Sequence, residues 1–227
     1  MERLFFDAEM APLLGDLCKY LAQERKVYRQ VSPEELERIA GTRGHGGVVA
    51  IARRHQPELA TVTTAAYWSG EGMPLVLLDG VKDARLLGGI ARVAAYFGVE
   101  KLLLADSKRQ IRPTPAAYRS ARGGLEMVDL RLVENPPSFL SGIRDHYFTI
   151  GLDVEGIPSP ELLAICPEEK VDKPVALVIG DEEMGLPEAT LAACDAVVSV
   201  AGCGALDRLP VEAEVALLLQ RYVVEPF

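Results

Sequence analysis

The sequence predicts an α/β protein whose larger part is a parallel sheet covered by helices on both faces. Three observations predict this fold: nearly continuous apolar strands from Pro74 onwards, helical segments between them, and glycine-containing turns after the strands. Strands that are apolar throughout are typical of parallel sheets, and strand–helix alternation is typical of α/β folds. The predicted strands are 75–79, 101–105, 126–133, 147–152, 174–180 and 196–200, and the predicted helices are about 84–97, 114–121, 136–144, 159–165, 187–194 and 209–223.

Residues 1–55 predict a small separate α/β domain with the element order β-α-β-α-β. Apolar residues at helical spacing fill residues 11–23, and a second helix begins with Ser32 as N-cap, Pro33 at the first position and Glu35 shortly after. The strands of this domain are about 3–6, 26–31 and 46–52. Residues 56–73 show no sustained periodicity. We therefore predict a linker over 56–73, with a helical turn around Thr61 to Tyr67 as an alternative within it, and a large domain over 74–227.

Composition and cysteine usage indicate a globular protein of a reducing compartment. The chain has 227 residues, 49% of them hydrophobic, and no run reaches the roughly 18 uninterrupted apolar residues that a membrane span needs. The N-terminus has no basic region or cleavage-like site of a signal peptide. We expect free thiols, no metal site and a cytoplasmic location. The four cysteines lack CxxC spacing: Cys18, Cys166, Cys194 and Cys203.

The net charge of −9 argues against a protein that coats nucleic acid non-specifically. It is compatible with an RNA enzyme that carries a local basic patch. Two groups of residues either form such a patch or are solvated surface charges: Arg43, His45, Arg53, Arg54 and His55, and Lys108, Arg109, Arg112, Arg119 and Arg122.

The stretch from Val175 to Leu186 is the first candidate for a ligand site. Five consecutive apolar residues end at Gly180, and an acidic turn follows that closes with Gly185. Such a turn places backbone N–H groups and carboxylates at the carboxyl edge of a sheet, where α/β proteins bind ligands. The glycines do not complete a dinucleotide-binding G-x-G-x-x-G pattern, and the chain has no G-x-x-x-x-G-K-[ST] loop. Nicotinamide and nucleoside-triphosphate binding are therefore disfavoured.

A second candidate is Arg92, on a predicted helix that is otherwise rich in Ala, Ile and Val. A long cation in such a helix can reach a phosphate or a carboxylate. The helix pattern alone is equally compatible with an ordinary exposed arginine.

Three turns together resemble the SpoU/TrmH branch of the SPOUT RNA methyltransferases. The first family motif is Asp-Pro-x-Asn-x-Gly-x-x-x-Arg followed by Phe-Gly, and it is matched by Asp83, Gly88, Arg92, Phe97 and Gly98. The second, Gly-(Asn/Asp/Ala)-Glu-x-x-Gly, is matched by Gly180, Asp181, Glu182 and Gly185. The third, Ile-Pro-Met…Gly…Ser-Leu-Asn-Val, is matched by Val200, Gly202, Gly204, Leu209 and Val211.

The resemblance covers residues 75–227 and implies a trefoil-knotted domain that binds S-adenosylmethionine. Backbone at Gly180, Val200 and Leu209 would contact this cofactor, and Val211 would help form an apolar slot for its adenine. The glycines, Gly185 among them, would let the backbone approach closely. Family members dimerise through the knot region, so the resemblance also implies a homodimer.

The implied reaction is methyl transfer to a ribose 2′-hydroxyl of tRNA or rRNA. Arg92 would bind an RNA phosphate, because a guanidinium is hardly ever deprotonated in proteins and is a poor base. Glu182 would brace the knot loop or orient Arg92. The segment 119–124 resembles a small-residue segment of the family, and residues 1–55 look like the latter part of its ribosomal-protein-like substrate-binding domain.

The chain departs from the family motifs at four positions, with Ala84, Leu86, Arg208 and Pro210 in place of Pro, Asn, Ser and Asn. Side chains of Leu and Pro form no hydrogen bonds. Arg208 adds a charge beside a cationic cofactor unless it turns outward to RNA or pairs with Asp207 or Glu212. A second hypothesis is therefore a SPOUT-fold RNA-binding protein that has lost methyl transfer and assists RNA or ribosome assembly. Methylation of another atom or substrate is a third.

Overall fold

The computed structural model divides into two units, Met1–Gln56 and Pro57–Phe227. It describes residues 1–53, 56–105, 112–158, 161, 172–203, 205 and 208–224. Several expectations lie outside the described residues: most of the helix at 159–165, Arg54, His55, Lys108, Arg109, Cys166, Gly204 and Asp207. In the described part of the chain, no helix is long and apolar enough to cross a bilayer.

The first unit is a three-stranded sheet with two helices, in the predicted β-α-β-α-β order. Its elements are β1 (Arg3–Phe6), α1 (Gly15–Gln23), β2 (Val27–Gln30), α2 (Pro33–Ala40) and β3 (Val48–Ile51). The central strand β1 pairs in parallel with β2 and antiparallel with β3. Leu4 and Phe6 alternate towards one face of β1 and pack with Leu21 of α1. The Ser32 hydroxyl accepts a hydrogen bond from the Glu35 amide, which confirms the predicted N-cap.

The second unit contains a seven-stranded sheet in the order β10-β8-β9-β5-β6-β7-β4, and every neighbouring pair is parallel. Its strands are β4 (Glu58–Leu59), β5 (Leu75–Leu78), β6 (Lys101–Ala105), β7 (Asp129–Val133), β8 (Phe148–Pro158), β9 (Val175–Ile179) and β10 (Ala196–Ser199). All side chains of β5 and β9 are buried. This confirms the fold class that the continuous apolar runs predict.

Helices cover both faces of this sheet. They are α3 (Val62–Gly70), α4 (Ala84–Tyr96), α5 (Pro115–Ala121), α6 (Gly124–Met127), α7 (Pro136–Ile143), α8 (Glu188–Ala193) and α9 (Val211–Leu219), and a π-helical segment follows α9 at Gln220–Val224. Val76 and Leu78 of β5 face α4 and α9, whereas Leu75 and Leu77 face α3 and α7. Two apolar cores therefore lie on opposite sides of one sheet.

The segment interpreted as a linker at 56–73 differs from that interpretation, since residues 57–73 belong to the second unit. Thr61 and Thr64 form a capping box at the start of α3, and Trp68 is buried in the core below the sheet. A helix of nine residues with few core positions is too short to show sustained periodicity. Strand β7 also begins later than predicted because residues 124–127 form α6, and β8 continues to Pro158.

A row of charged side chains ties the strands β4, β6 and β7 together. Asp129 accepts hydrogen bonds from Lys101 Nζ at 3.1 Å and from Arg131 Nε at 2.8 Å, and Arg131 also pairs with Glu58. Burial alone would raise the pKa of Asp129, but the hydrogen bonds from Arg131 and Lys101 outweigh it and hold the pKa below its usual value. Lys101 also lies over the Trp68 ring, 5.1 Å from its centre.

Candidate functional site

The carboxyl ends of β5, β9 and β10 lie at one edge of the parallel sheet, and the predicted site segments follow β9 and β10 directly. Gly180 follows β9, and Val200 follows β10. The end of β5 is fixed to β9 by a hydrogen bond from the Asp79 amide to the Ile179 carbonyl at 2.9 Å. The buried Asp79 carboxylate also accepts from the Thr190 hydroxyl at 2.6 Å. The sheet topology therefore places the two segments at the edge where α/β proteins bind ligands.

The turn from Gly180 to Gly185 is a tight, internally bonded loop. Asp181 and Gly185 exchange two backbone hydrogen bonds at 3.1 and 2.9 Å, and the Asp181 carboxylate accepts from the amides of Glu183 and Met184. Gly185 has φ +67°, and a Cβ on Gly180 would lie 2.2 Å from the Gly185 carbonyl carbon. Only glycine fits at Gly180, because the clashing atoms are backbone. Close packing thus explains Gly180, and the positive φ explains Gly185.

The segment from Arg208 to Val211 lies against this turn. The Arg208 guanidinium donates through Nη1 to the Glu182 carbonyl at 2.6 Å. Leu209 is 41% exposed and can contact a ligand with its side chain. Val211 is 1% exposed and belongs to the same core as Ile179, so the whole residue is buried at the start of α9. The structure thus brings the second motif and the end of the third together. Val200 is half-buried against the same core.

Arg92 lines a cavity of about 910 Å³ between α4, the α5–α6 connection and α9, and none of the residues just described lines it. The cavity is lined by three arginines, Arg85, Arg92 and Arg122, and by the carboxylate of Glu212. Among the predicted site residues that the structure describes, Arg92 alone lines it. Arg92 is exposed, and no hydrogen bond or ion pair of its side chain occurs within the described ranges.

The small-residue segment at 119–124 packs directly on the helix that carries Arg92. A Cβ on Gly124 would lie 2.6 Å from Arg92 Cα. On the same helix a Cβ on Gly88 would lie 2.1 Å from the Ala117 carbonyl oxygen and 2.8 Å from Ser120 Cβ. Glycine at these positions lets α5 and α6 approach α4 backbone to backbone. The first motif therefore uses Gly88 for packing and leaves Arg92 at the surface.

The structure locates the motif departures. Leu86 is buried in the main core beneath α4. Arg208 pairs with Glu214, a residue that the sequence analysis did not select, rather than with Glu212: Nη2 lies 3.1 Å from the Glu214 carboxylate. Arg208 Nε is buried and has no hydrogen-bond partner in the part of the chain that the structure describes. The available signal for Glu214 was an acidic residue in the buried stripe of an apolar helix.

Two family models match the chain and together cover most of it. The model described as the SpoU rRNA Methylase family matches residues 73–220, and the model described as RNA 2′-O ribose methyltransferase substrate binding matches residues 1–58. The first match extends from the buried strand β5 to the π-helical end of α9 and includes all the predicted site residues.

Curated relatives have related names. The chain is 33% identical over 148 residues to an uncharacterized tRNA/rRNA methyltransferase of Haemophilus influenzae, covering 65% of this chain and 41% of the relative. It is 27% identical over 220 residues to the uncharacterized tRNA/rRNA methyltransferase YfiF of Escherichia coli O157:H7, covering 96% of this chain and 60% of the relative. A 23S rRNA (guanosine-2′-O-)-methyltransferase of Acinetobacter baylyi is 30% identical over 191 residues, which are 84% of this chain and 75% of that protein.

Solved structures with the same fold cover nearly the whole chain. An AdoMet-bound rRNA methyltransferase from Sinorhizobium meliloti superposes with a TM-score of 0.72 at 19% identity, covering 98% of this chain and 80% of that one. The SpoU methyltransferase AviRb from Streptomyces viridochromogenes gives a TM-score of 0.72 at 20% identity, covering 99% and 81%. Together with the family-model match over residues 73–220, the fold leads to one conclusion: this chain belongs to the SpoU rRNA methylase family.

Proposed function

We propose that this protein is an S-adenosylmethionine-dependent methyltransferase that modifies a ribose 2′-hydroxyl of tRNA or rRNA. The observation that carries the proposal is the junction of the Gly180–Gly185 turn with the Arg208–Val211 segment at the carboxyl edge of a parallel sheet. Membership of the SpoU family and relatives named as tRNA or rRNA methyltransferases support it.

The residues at this junction fit the cofactor. Gly180 places bare backbone beside the turn, Leu209 offers an exposed apolar side chain, and Val200 offers a half-buried one. Gly185 and Val211 shape the site, the first through its turn conformation and the second through its backbone at the start of α9. The bound cofactor supplies an electrophilic methyl group, so the protein's main task is to position the hydroxyl that receives it. A trefoil knot in the second unit is part of the proposal.

In this proposal Arg92 binds a phosphate of the RNA and keeps its charge throughout the reaction. Its exposed position beside Arg85 and Arg122 supports this role, since grouped arginines recognise phosphates by charge and by paired hydrogen bonds. Glu182 acts through its backbone, which accepts the hydrogen bond of Arg208, and it braces the turn. The first unit matches a substrate-binding family model and is proposed to contact the same RNA.

We also propose a cytoplasmic homodimer that forms through the knot region, with exposed side chains of α4, α6 and α9 in its interface. Tyr96, Met127 and Leu217 of these helices are exposed, and large exposed apolar side chains are typical of protein interfaces. Two of them, Tyr96 and Met127, line the cavity of Arg92, so a partner protomer would complete the surroundings of that arginine.

The test is calorimetric titration of the full chain with S-adenosylhomocysteine, followed by transfer of tritium-labelled methyl groups to RNA from cells that lack this protein. We expect binding and transfer to 2′-hydroxyls. Absence of binding at millimolar ligand would exclude the methyltransferase. Binding without transfer to any cellular RNA would instead support an RNA-binding protein without methyltransferase activity.

A pair of matched variants tests where the cofactor binds. Leu209→Asp places a charge on the proposed apolar slot, whereas Leu59→Asp places the same charge on the distant edge strand β4. The exposed fractions are similar, 41% for Leu209 and 47% for Leu59, so both variants are expected to fold. We expect weaker S-adenosylhomocysteine binding in Leu209→Asp only. Equal affinity of both variants would place the cofactor elsewhere.

A further inference from the structure

Arg208 joins two segments of the candidate cofactor site through one side chain. Its Nη1 donates to the carbonyl of Glu182 in the turn at 2.6 Å, and its Nη2 donates to the carboxylate of Glu214 in α9 at 3.1 Å. The turn and the helix are otherwise separate elements of the chain. A planar guanidinium can make both bonds at once because its N–H groups have a fixed fork geometry.

The carboxylate of Glu214 makes this link rigid. Glu214 is only 3% exposed and lies in the buried stripe of α9 together with Val211, Val215 and Leu218. A buried carboxylate is strongly unfavourable unless a cation and hydrogen bonds compensate its charge. Arg208 supplies both, so the folded helix holds the guanidinium in place. The guanidinium in turn holds the Glu182 carbonyl.

We propose that Arg208 is a positioning residue that locks the Gly180–Gly185 turn onto the start of α9 and thereby fixes the backbone that faces the cofactor. The inference rests on the proposed function, because it assigns a role within the same cofactor site. Arg208 acts through the turn. Arg208 occupies the position of a serine in the third motif of the SpoU/TrmH family. In this chain the ion pair between Arg208 and Glu214 therefore holds the turn.

The test uses four variants of the full chain: Arg208→Ser, Arg208→Lys, the double variant Arg208→Ser/Glu214→Ala, and Arg131→Ser as control. Arg131 is a matched control because its side chain is 24% exposed against 26% for Arg208, and it also bridges two acceptors, in its case the carboxylates of Asp129 and Glu58. It lies on β7, away from the turn. The double variant removes both charges, so it leaves no unpaired buried carboxylate and is expected to fold if Arg208→Ser does not.

The first measurement is amide hydrogen exchange in the peptide 181–186 without any ligand, and the second is the Kd of S-adenosylhomocysteine. We expect exchange in this peptide to accelerate at least about tenfold in Arg208→Ser and in the double variant, with exchange in β5 and β9 unchanged. We expect the Kd to rise by about the same factor, with a smaller rise in Arg208→Lys, which keeps one of the two bonds. Arg131→Ser should change neither quantity.

The results separate failure of the inference from failure of the proposed function. If the native protein does not bind S-adenosylhomocysteine, the proposed function fails and this inference fails with it. If the native protein binds but the Arg208 variants match it in both exchange and Kd, Arg208 does not position the turn, and the proposed function stands. Faster exchange with an unchanged Kd would also overturn the positioning role, because the lock would then have no effect on the cofactor site.

Discussion

The variant Gly88→Ala tests whether the spacing of α4 and α5 depends on a missing side chain. Gly88 is buried in the interior of α4, and a Cβ there would lie 2.1 Å from the carbonyl oxygen of Ala117 and 2.9 Å from its carbonyl carbon. Both atoms are backbone, so no side-chain rotation relieves the clash. The two helices have to separate, or the methyl group has to displace part of α5.

Two opposing effects determine the magnitude. Replacing a glycine by alanine in a helix interior stabilises the folded state by about 1 kcal/mol. Restoring an ordinary contact of about 3.4 Å requires a movement of more than about 1 Å between α4 and α5, and such overpacking typically costs about 1–3 kcal/mol. We place this clash at about 3 kcal/mol because backbone atoms are involved on the α5 side. The expected net loss of unfolding free energy is therefore about 2 kcal/mol.

Urea unfolding followed by tryptophan fluorescence measures this loss. Trp68 is the single tryptophan of the chain and is buried in the second unit, so its emission reports on the unit that contains α4. The control is Gly70→Ala in α3, where nothing lies within 4 Å of the added Cβ, and where we expect unchanged or slightly higher stability. If Gly88→Ala were as stable as the native protein, the close approach of α4 and α5 would not depend on glycine.

Three further predictions concern charge and reactivity. The pKa of Asp129 is lower in the folded protein than in the unfolded chain, so its contribution to stability is complete above the unfolded pKa near 4 and is lost as the pH falls through the folded pKa. Asp129→Asn should therefore lower the urea midpoint at pH 7, and the difference in midpoint between the variant and the native protein should shrink below about pH 4. Burial raises the pKa of the Cys194 thiol to about 12, whereas Cys203 is exposed. At pH 8 a thiol reagent should therefore label Cys203 long before Cys194, as measured by peptide mass spectrometry. Equal labelling rates of the two cysteines would contradict the burial of Cys194. Arg92→Ala should weaken RNA binding or methylation while urea stability stays unchanged, with partial activity in Arg92→Lys; unaltered activity and RNA binding in the alanine variant would remove its proposed role.

The sequence predicts most of the second unit because its central strands are buried on both faces. Val175–Ile179 and the strand at 75–78 are apolar at every position, and only a parallel sheet between two helix layers buries such runs completely. Helix α3 is predicted only as an alternative, a helical turn within the linker, for the opposite reason. Its stability comes from one buried tryptophan and a capping box rather than from an amphipathic stripe, so its periodicity is weak.

The sequence predicts those site residues whose type is determined by backbone geometry. It does not predict which of several nearby acidic side chains forms an ion pair with a given arginine. Gly180 and Gly185 are readable from sequence because their positions exclude a Cβ or require a positive φ. The partner of Arg208 is not readable in the same way. Asp207 and Glu212 are the acidic residues nearest to Arg208 in the sequence. Glu214, however, lies in the buried stripe of α9, and its buried carboxylate requires a cation more than an exposed one does.

The start of α9 contributes to two regions for which we propose separate roles. Glu212 lines the cavity of Arg92, whereas Glu214, two positions later, holds Arg208 against the turn. Residues two apart in a helix project from different faces, so one helical turn serves both regions without bringing their arginines together. Damage to the first region should therefore appear in RNA binding, and damage to the second in cofactor binding. On this basis we expect the departures at Leu86 and Arg208 to have independent effects: Leu86 packs in the core under α4, whereas Arg208 forms a charged link to the turn.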